Sequence, residues 1–575
     1  MKNKEIADAF SEIADLLEIK GEKVFRINSY RRASRTLKDL PRDIAELASA
    51  GELGGLPGIG KATTAKIEEY LATGRIGKHA ELLESIPAGL PGLLRIPGMG
   101  PKKVALAWKE LDVCCMADLK GVIESGALAK LKGMGSKSVE QIADGIAFAE
   151  RSAGRTPLGL AWPPAVELAK TMRKVKGVRR VEVSGSLRRG CETIGDLDLL
   201  CESNDGAAVV KAFTSLPIAK KVLASGKTKG SILVERRDGE AIQADCRVVP
   251  EESFGAALQY FTGSKQHNVR LREMAVKKKW KLNEWGLFDG DRRIAGEEEA
   301  AIYQKLGLPP IPPEQREDRG EFDADTLEPL IEQSDIRGDL HVHTRASDGT
   351  ADAETMARAA SEMGYEYLAI TDHSRSSTVA NGLSIDRMWR QIEMIRKLDK
   401  RLDTITVLVG CECDILSDGT LDYPDTILSA CDFVVASVHV ALRQERKKIT
   451  TRVLKALENP YVCVLGHPTG RLINRREPMD LDMEAVVSKA VETQTALELN
   501  ASWQRLDMKD IHLRMAIDAG AMLSINTDSH ATAQFDQMRF GITTARRGWV
   551  RAKDVINTMP LPSLRKWIAK KRGGL

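Results

Sequence analysis

The chain has 575 residues and nine cysteines but no Cys-x-x-Cys pair. Cys114 and Cys115 adjoin, and Cys411 and Cys413 flank Glu412. Neither arrangement suits a zinc ribbon or a disulfide framework, so a reducing cytoplasm is expected. Long apolar runs are also missing at the start, where Met1–Lys20 alternates charged and apolar residues. That excludes a signal peptide or membrane span there, and no membrane partner is expected. Charge of one sign is scarce: 85 Lys and Arg against 81 Asp and Glu leave a net +4. Net charge therefore does not itself point to nucleic acid, and any basic surface must be local. Aromatic residues make up only 5% of the chain. What remains, 43% hydrophobic and 29% charged, is ample for folded cores. The length suits about three to five domains of roughly 100–200 residues each.

Against this background one stretch stands out: Gly185-Ser186-Leu187-Arg188-Arg189-Gly190, then Gly195-Asp196-Leu197-Asp198. A strand repeats every two residues, so Asp196 and Asp198 point the same way. Carboxylate pairs suit Mg2+ or Mn2+ that shares its remaining positions with substrate phosphates. Gly185 lets backbone N–H groups approach a phosphate, Ser186 adds a hydroxyl, and Arg188 and Arg189 add charge. Asp245, in the strand-like run Ala241–Val249, supplies a third carboxylate, and three can hold two ions. An Asp-x-Asp alone is usually a solvated strand edge; the joint pattern favours nucleotidyl transfer.

The run from Val183 to Leu200 resembles the catalytic motif of the family X DNA polymerases, the group of DNA polymerase beta. Tyr260-Phe261-Thr262-Gly263 and Leu282–Leu287 support it. The resemblance implies that Asp196, Asp198 and Asp245 hold the catalytic metals. It implies that Ser186 and Arg189, with the backbone at Gly185 and Gly195, bind the triphosphate of a dNTP. Tyr260, Phe261 and Gly263 would select the sugar, and Asn268 would touch the base or minor groove. Tyr260 and Phe261 as ordinary core aromatics is the alternative.

The N-terminal third repeats one pattern three times. Leu56-Pro57-Gly58-Ile59-Gly60-Lys61, Ile96-Pro97-Gly98-Met99-Gly100-Pro101-Lys102-Lys103 and Leu131-Lys132-Gly133-Met134-Gly135-Ser136-Lys137 each open a helical segment. They resemble helix-hairpin-helix elements. Free N–H groups at such helix starts, with a nearby Lys, bind a DNA backbone without reading bases. Gly58, Gly60, Lys61, Gly98, Gly100, Lys102 and Lys103 are the expected contacts. The first segment predicts helices over Ile6–Leu17 and Phe25–Leu37 and resembles the polymerase-beta N-terminal domain. Lys66 falls where some relatives carry a lyase lysine, yet Ala62 replaces a supporting lysine of that pattern, and a solvated helix lysine is the alternative.

Arg151–Pro164 and Pro309 to about Asp335 read as linkers. Beyond them, short apolar strands end in His, Asp or Glu and alternate with helical segments, the pattern of a β/α barrel with its site at the strands' C-terminal ends. Six of the chain's nine histidines lie in these motifs: His341, His343, His373, His439, His467 and His530. With Glu412 and Asp528 they form a metal constellation suited to Mn2+ or Zn2+. The region resembles the PHP domain, a trinuclear phosphoesterase on a distorted seven-stranded barrel. The resemblance implies one ion held by His341, His343, Glu412 and Asp528. A second would be held by Glu412, His439 and His467, and a third by Asp348, His373 and His530. Arg471 is placed to bind phosphate.

The expected fold is multidomain α+β and α/β: a helical helix-hairpin-helix region, a polymerase-beta-like palm and thumb, and a (β/α)7 barrel. Boundaries are expected at 1–85, 86–153, 154–250, 251–312, a linker over 313–336, and 337–575. Joined in this order the parts resemble a bacterial family X polymerase with a C-terminal PHP domain. This implies a monomeric gap-filling DNA polymerase of base excision repair, acting in the cytoplasm at the nucleoid on gapped or nicked duplex DNA and dNTPs. The barrel would be a 3′–5′ exonuclease, with AP-endonuclease or 3′-phosphodiesterase activity as extensions. A phosphoesterase whose polymerase module only binds DNA is the alternative reading.

Overall fold

The computed structural model describes residues 2–38, 40, 43–56, 58–94, 96, 98–152, 154–323 and 328–573. Pro57 and Pro97 of the hairpin motifs lie outside the described residues, as does the middle of the second linker. Two compact units result: residues 1–153 with 474–476, and the remainder. No described helix is long and apolar enough to cross a membrane.

The first unit is helical. Helix α1 (Asn3–Lys20) buries Ile6, Phe10, Ile13 and Leu17 on one face, at the spacing a helix needs to present an apolar stripe. It ends because Gly21 turns left-handed and its N–H caps the Glu18 and Leu17 carbonyls. Helix α2 (Val24–Lys38) packs across it, with Tyr30 edge-on to Phe10 at 5.6 Å. One apolar cluster then runs on from Ile6 to Ile146.

The three hairpins fold alike. Ile59, Met99 and Met134 are buried anchors, and their N–H groups bond back to Leu56, Ile96 and Leu131 at 2.9–3.1 Å. The preceding glycines, 58, 98 and 133, take φ of 78°, 93° and 87°, a region closed to most side chains. Helices α3 (Lys61–Thr73), α4 (Pro101–Leu111) and α5 (Ser136–Ser152) follow directly.

The second unit opens on helix α6 (Leu158–Met172). The linker expected over Arg151–Pro164 is thus corrected: from Leu158 it is helix, despite Pro163 and Pro164 inside. A mid-helix proline costs about 3 kcal/mol. Burial of Leu158, Ala161, Ala165, Leu168 and Met172 against the following sheet offsets this.

That sheet holds β1 (Val181–Val183), β2 (Leu197–Glu202), β3 (Ala219–Ser225), β4 (Lys229–Glu235) and β5 (Ala241–Val249) in the order β1-β2-β5-β4-β3. Only β2 and β5 run parallel, in the register Asp198 to Asp245. Helix α7 (Phe254–Thr262), a helix over Lys265–Lys277, a three-stranded antiparallel sheet over 280–295 and a helix over Glu299–Leu306 follow in the polymerase-like part.

The segment after Pro312, expected as a linker, is packed. Arg316, 3% exposed, pairs with Glu299, which also takes a two-pronged contact from Arg188 at 2.8 and 2.9 Å. The two guanidinium groups hold the Glu299 carboxyl down to about 2 despite its burial. We expect Glu299→Gln to leave two cations half-paired and to cost roughly 3 kcal/mol, read as a shift of the urea transition. Because the folded pKa is depressed, this stabilisation is present above the unfolded value of about 4.3 and is lost as pH falls through about 2. The gap between the two proteins should close over that interval; a constant gap would point to packing instead.

The barrel comprises β6 (Gly338–Val342), β7 (Tyr367–Ile370), β8 (Thr406–Asp414), β9 (Phe433–Ser437), β10 (Val464–Leu465), β11 (Ala496–Asn500) and β12 (Leu523–Asn526), all parallel in chain order. A Val342–Ser529 bridge links its first and last strands. Nearly every strand residue is buried, as a sheet covered on both faces requires.

Candidate active sites

At the first site, β2 and β5 set Asp198 beside Asp245, and Asp196 precedes β2. Burial and the charges of Asp196 and Asp245 push the Asp198 carboxyl up to about 7. Lys229 and Gln243 contact Asp245 and hold it low. Carboxylates crowded enough to hold a proton near neutrality are what a divalent cation would relieve, so the donor set fits Mg2+ or Mn2+.

Gly185 opens the adjoining helical turn (Gly185–Arg188) at φ 65°, and a Cβ there would stand 2.2 Å from Asp198 Oδ2. Gly185→Ala therefore strains the turn and displaces a metal-facing carboxylate. We expect primer extension to fall about 100-fold with little change in barrel activity; unaltered extension would remove Gly185 from the site.

Ser186 lies in this turn, and Gly195 is exposed immediately before Asp196. Arg189 is already engaged: Nη1 donates to the Thr262 carbonyl and Nε to Glu317 at 3.0 Å. Arg547 of the barrel donates to the same Glu317 at 2.9 Å and to the Arg189 carbonyl at 2.8 Å. Tyr260 and Phe261 close α7 with ring centroids 5.2 Å apart, and Gly263 follows at φ 71°. Asn268 donates to the Tyr260 carbonyl and accepts from Gln259, both at 2.7 Å. Its side chain braces Tyr260 here, a role sequence reading missed.

The second site gathers all nine residues expected of it. Glu412, in β8, is ringed by imidazoles: His373 Nδ1 at 2.9 Å, His467 Nε2 at 3.0 Å, His439 Nε2 at 3.2 Å, His341 Nε2 at 3.4 Å and His343 Nε2 at 3.5 Å. Asp348 lies 3.3 Å from His530 and 3.6 Å from His373. Asp528 lies 3.1 Å from His343 and 3.8 Å from His341. Three close donor groups result: His343-Asp348-His373-His530, His341-His343-Asp528 and His373-Glu412-His439. His343 and His373 each belong to two of these groups, and His467 stands beside Glu412 at 3.0 Å.

His341 Nε2, both ring nitrogens of His343, His373 Nδ1 and Glu412 Oε2 are buried without a well-aligned hydrogen bond, although His373 Nδ1 and Glu412 Oε2 stand 2.9 Å apart. Orphaned polar atoms at this density are costly unless something else binds them, and imidazole with carboxylate fits Mn2+ or Zn2+. A supporting ring went unread in the sequence. Glu498 accepts from His341 Nδ1 at 2.7 Å and from Asn526 at 2.9 Å, and Asp414 contacts His439 Nδ1 at 2.5 Å. Such partners fix the ring orientation of a ligating His. The available signal was Glu498 itself, a charge inside the buried strand β11.

Arg471 is corrected: it is buried against Glu192 of the polymerase part at 2.7 Å and donates to the Leu506 carbonyl. These contacts tie the two parts together through Nη1 and Nη2. In the helical unit, Lys61 and Lys102 are exposed, and no atom beyond chain neighbours lies within 4 Å of a Cβ placed on Gly60 or Gly100. Gly98 is exposed and Gly58 partly so. Lys103 is tied to Ser138 at 2.7 Å. Lys66 Nζ donates to the Ala62 carbonyl at 3.1 Å and lies 6.0 Å from the Tyr30 ring.

Fold and sites define the class: a polymerase-beta-like nucleotidyltransferase carrying a PHP barrel on the same chain. Family models agree, matching a helix-hairpin-helix domain over 1–76, a DNA polymerase beta thumb over 257–317 and a PHP domain over 339–502. Along 99% of its length the chain is 37% identical to all of the DNA polymerase/3′-5′ exonuclease PolX of Bacillus subtilis (strain 168). Over 35% of its length it is 33% identical to a probable phosphatase of Clostridium acetobutylicum, covering 83% of that protein. A probable phosphatase of a Thermoanaerobacter species matches 38% of the chain at 25% identity. The chain belongs to the PolX family.

Proposed function

We propose that the chain is a DNA polymerase that fills short gaps and a 3′–5′ exonuclease that trims the same ends. One observation carries this reading: both donor sets, Asp196/Asp198/Asp245 and the nine barrel residues, are whole in one chain of a family whose Bacillus subtilis member is named for both activities.

In the polymerase site Asp196, Asp198 and Asp245 would hold Mg2+ or Mn2+. Ser186, Arg189 and the backbone at Gly185 and Gly195 bind the triphosphate. Tyr260 and Phe261 with Gly263 admit a deoxyribose, and Asn268 holds Tyr260 in place. In the barrel His341, His343, Asp348, His373, Glu412, His439, His467, Asp528 and His530 would hold up to three Mn2+ or Zn2+ ions. Bound there, such ions lower the pKa of water and neutralise charge gathering on a phosphodiester. Glu498 and Asp414 keep the ligating imidazoles oriented. The hairpins, through Gly58, Gly60, Lys61, Gly98, Gly100 and Lys102, hold the backbone of gapped or nicked duplex. Base excision repair is the setting that gap filling fits, with cleavage at abasic sites as an extension; Lys66, turned onto Tyr30, is not assigned a lyase role.

The test is a 5′-labelled gapped duplex incubated with Mn2+, with and without dNTPs. Lengthening with dNTPs and shortening without them supports both activities. Shortening alone would reduce the polymerase part to a DNA-holding module.

A further inference from the structure

The palm and the barrel share a cleft that neither contains alone. A cavity of about 750 Å³ lies between α6 and the loops above the barrel, and a second, of about 340 Å³, lies over the metal-ligand cluster. The two share Arg505, Asp528 and His530, so they adjoin at the ligand cluster, and the larger reaches α6.

Its outer walls carry two indoles, one from each part. Trp162, on α6, is edge-on to Phe540 of the barrel at 6.4 Å. Trp503 follows β11 and presses on α6 where only glycine fits, since a Cβ on Gly159 would stand 2.2 Å from its ring. Its backbone N–H donates to Gln537. Both rings are fixed by packing and both line the cavity. Two cations lack full partners along the same wall. Arg237 is exposed, and Arg505 buries an unbonded Nη1 while its Nε stands 3.7 Å from Asp528. Arg539 is paired with Asp536 at 3.1 Å, and the other acids lining the cavity are Glu167 and Asp528.

We propose that this cleft binds the unpaired 3′-terminal strand of DNA and delivers it to the barrel ligands. The proposal rests on the nuclease reading above. Flat apolar faces flanked by cations are the means of holding single-stranded nucleic acid, with bases stacking on the rings and phosphates on the cations. A duplex stacks its bases on one another and offers the indoles no free face. The palm thus furnishes half of the exonuclease's substrate channel, and the melted end of a primer is what the barrel receives.

The experiment uses the full chain with Mn2+, comparing 5′-labelled dT15 with the small diester bis(p-nitrophenyl) phosphate. Trp162→Ala should lower kcat/KM on dT15 about 10-fold, within the range for losing one stacked base, and leave the small diester unchanged. Arg237→Glu, at an exposed position, should lower dT15 degradation about fivefold and flatten its salt dependence; it decides the matter if Trp162→Ala does not fold. Unchanged dT15 degradation in Arg237→Glu, or parallel loss on both substrates in every variant, overturns the proposal. A metal-free arm separates it from the nuclease reading. dT15 with 5-iodouracil next to the 3′ end should photocross-link to the peptides bearing Trp162 or Trp503, whether or not the strand is cut. Cross-links confined to other peptides would also overturn it.

Discussion

Glu412→Gln is expected to abolish 3′-end degradation, by at least about 1,000-fold or roughly 4 kcal/mol, while primer extension stays within about twofold. Five imidazoles lie within 3.5 Å of this one carboxylate, and it is buried. Glutamine keeps the size but loses the charge and turns two acceptor oxygens into one acceptor and one donor facing His nitrogens. The groups that would share ions through Glu412 then lose their common anion. Metal content by mass spectrometry should fall together with nuclease rate. Full metal content with full nuclease activity would refute the assignment. The polymerase carboxylates belong to another sheet, so reduced extension would indicate global damage instead.

Asp198→Asn should give the opposite split: extension down at least about 1,000-fold, degradation of dT15 retained. Asp198 is flanked by Asp196 in sequence and by Asp245 across the β2–β5 ladder; its burial first, and then repulsion from these two, pushes its carboxyl up to about 7. Asparagine relieves that repulsion, so the variant should be no less stable than the parent while failing in catalysis. A variant that is at once more stable and inactive identifies a site where charge is concentrated for metal binding at a cost in stability. Retained extension would sink the polymerase assignment of this triad.

The two variants together address a question the interface raises. Arg547 of the barrel holds both Glu317 and the Arg189 carbonyl, and Arg471 of the barrel holds Glu192. Arg189, proposed to bind the triphosphate, and Glu192 are therefore braced from the barrel side.

Much of both sites was legible beforehand. Asp196, Asp198 and Asp245 are legible because strand geometry alone puts alternate residues on one face. The barrel ligands are legible because polar residues at the ends of apolar runs have few other uses. Partners across space were not. Arg471 looks like a phosphate ligand until Glu192, remote in sequence, is found beside it. Asn268 looks free until Gln259 and Tyr260 occupy its amide. Pro163 and Pro164 spell a linker locally, yet α6 carries them because one face of that helix is buried in the palm core.

By itself, then, the sequence determined the helix–strand pattern of the barrel, the three hairpin turns and which side chains could bear metal. These depend on residues near one another in the chain, where backbone sterics and side-chain chemistry act directly. Only the tertiary structure decided which donors stand close together, which arginines are spent on structure, and that Trp162 and Trp503 line one cleft. Those outcomes depend on which distant surfaces bury each other, and burial is settled by the packing of the whole unit.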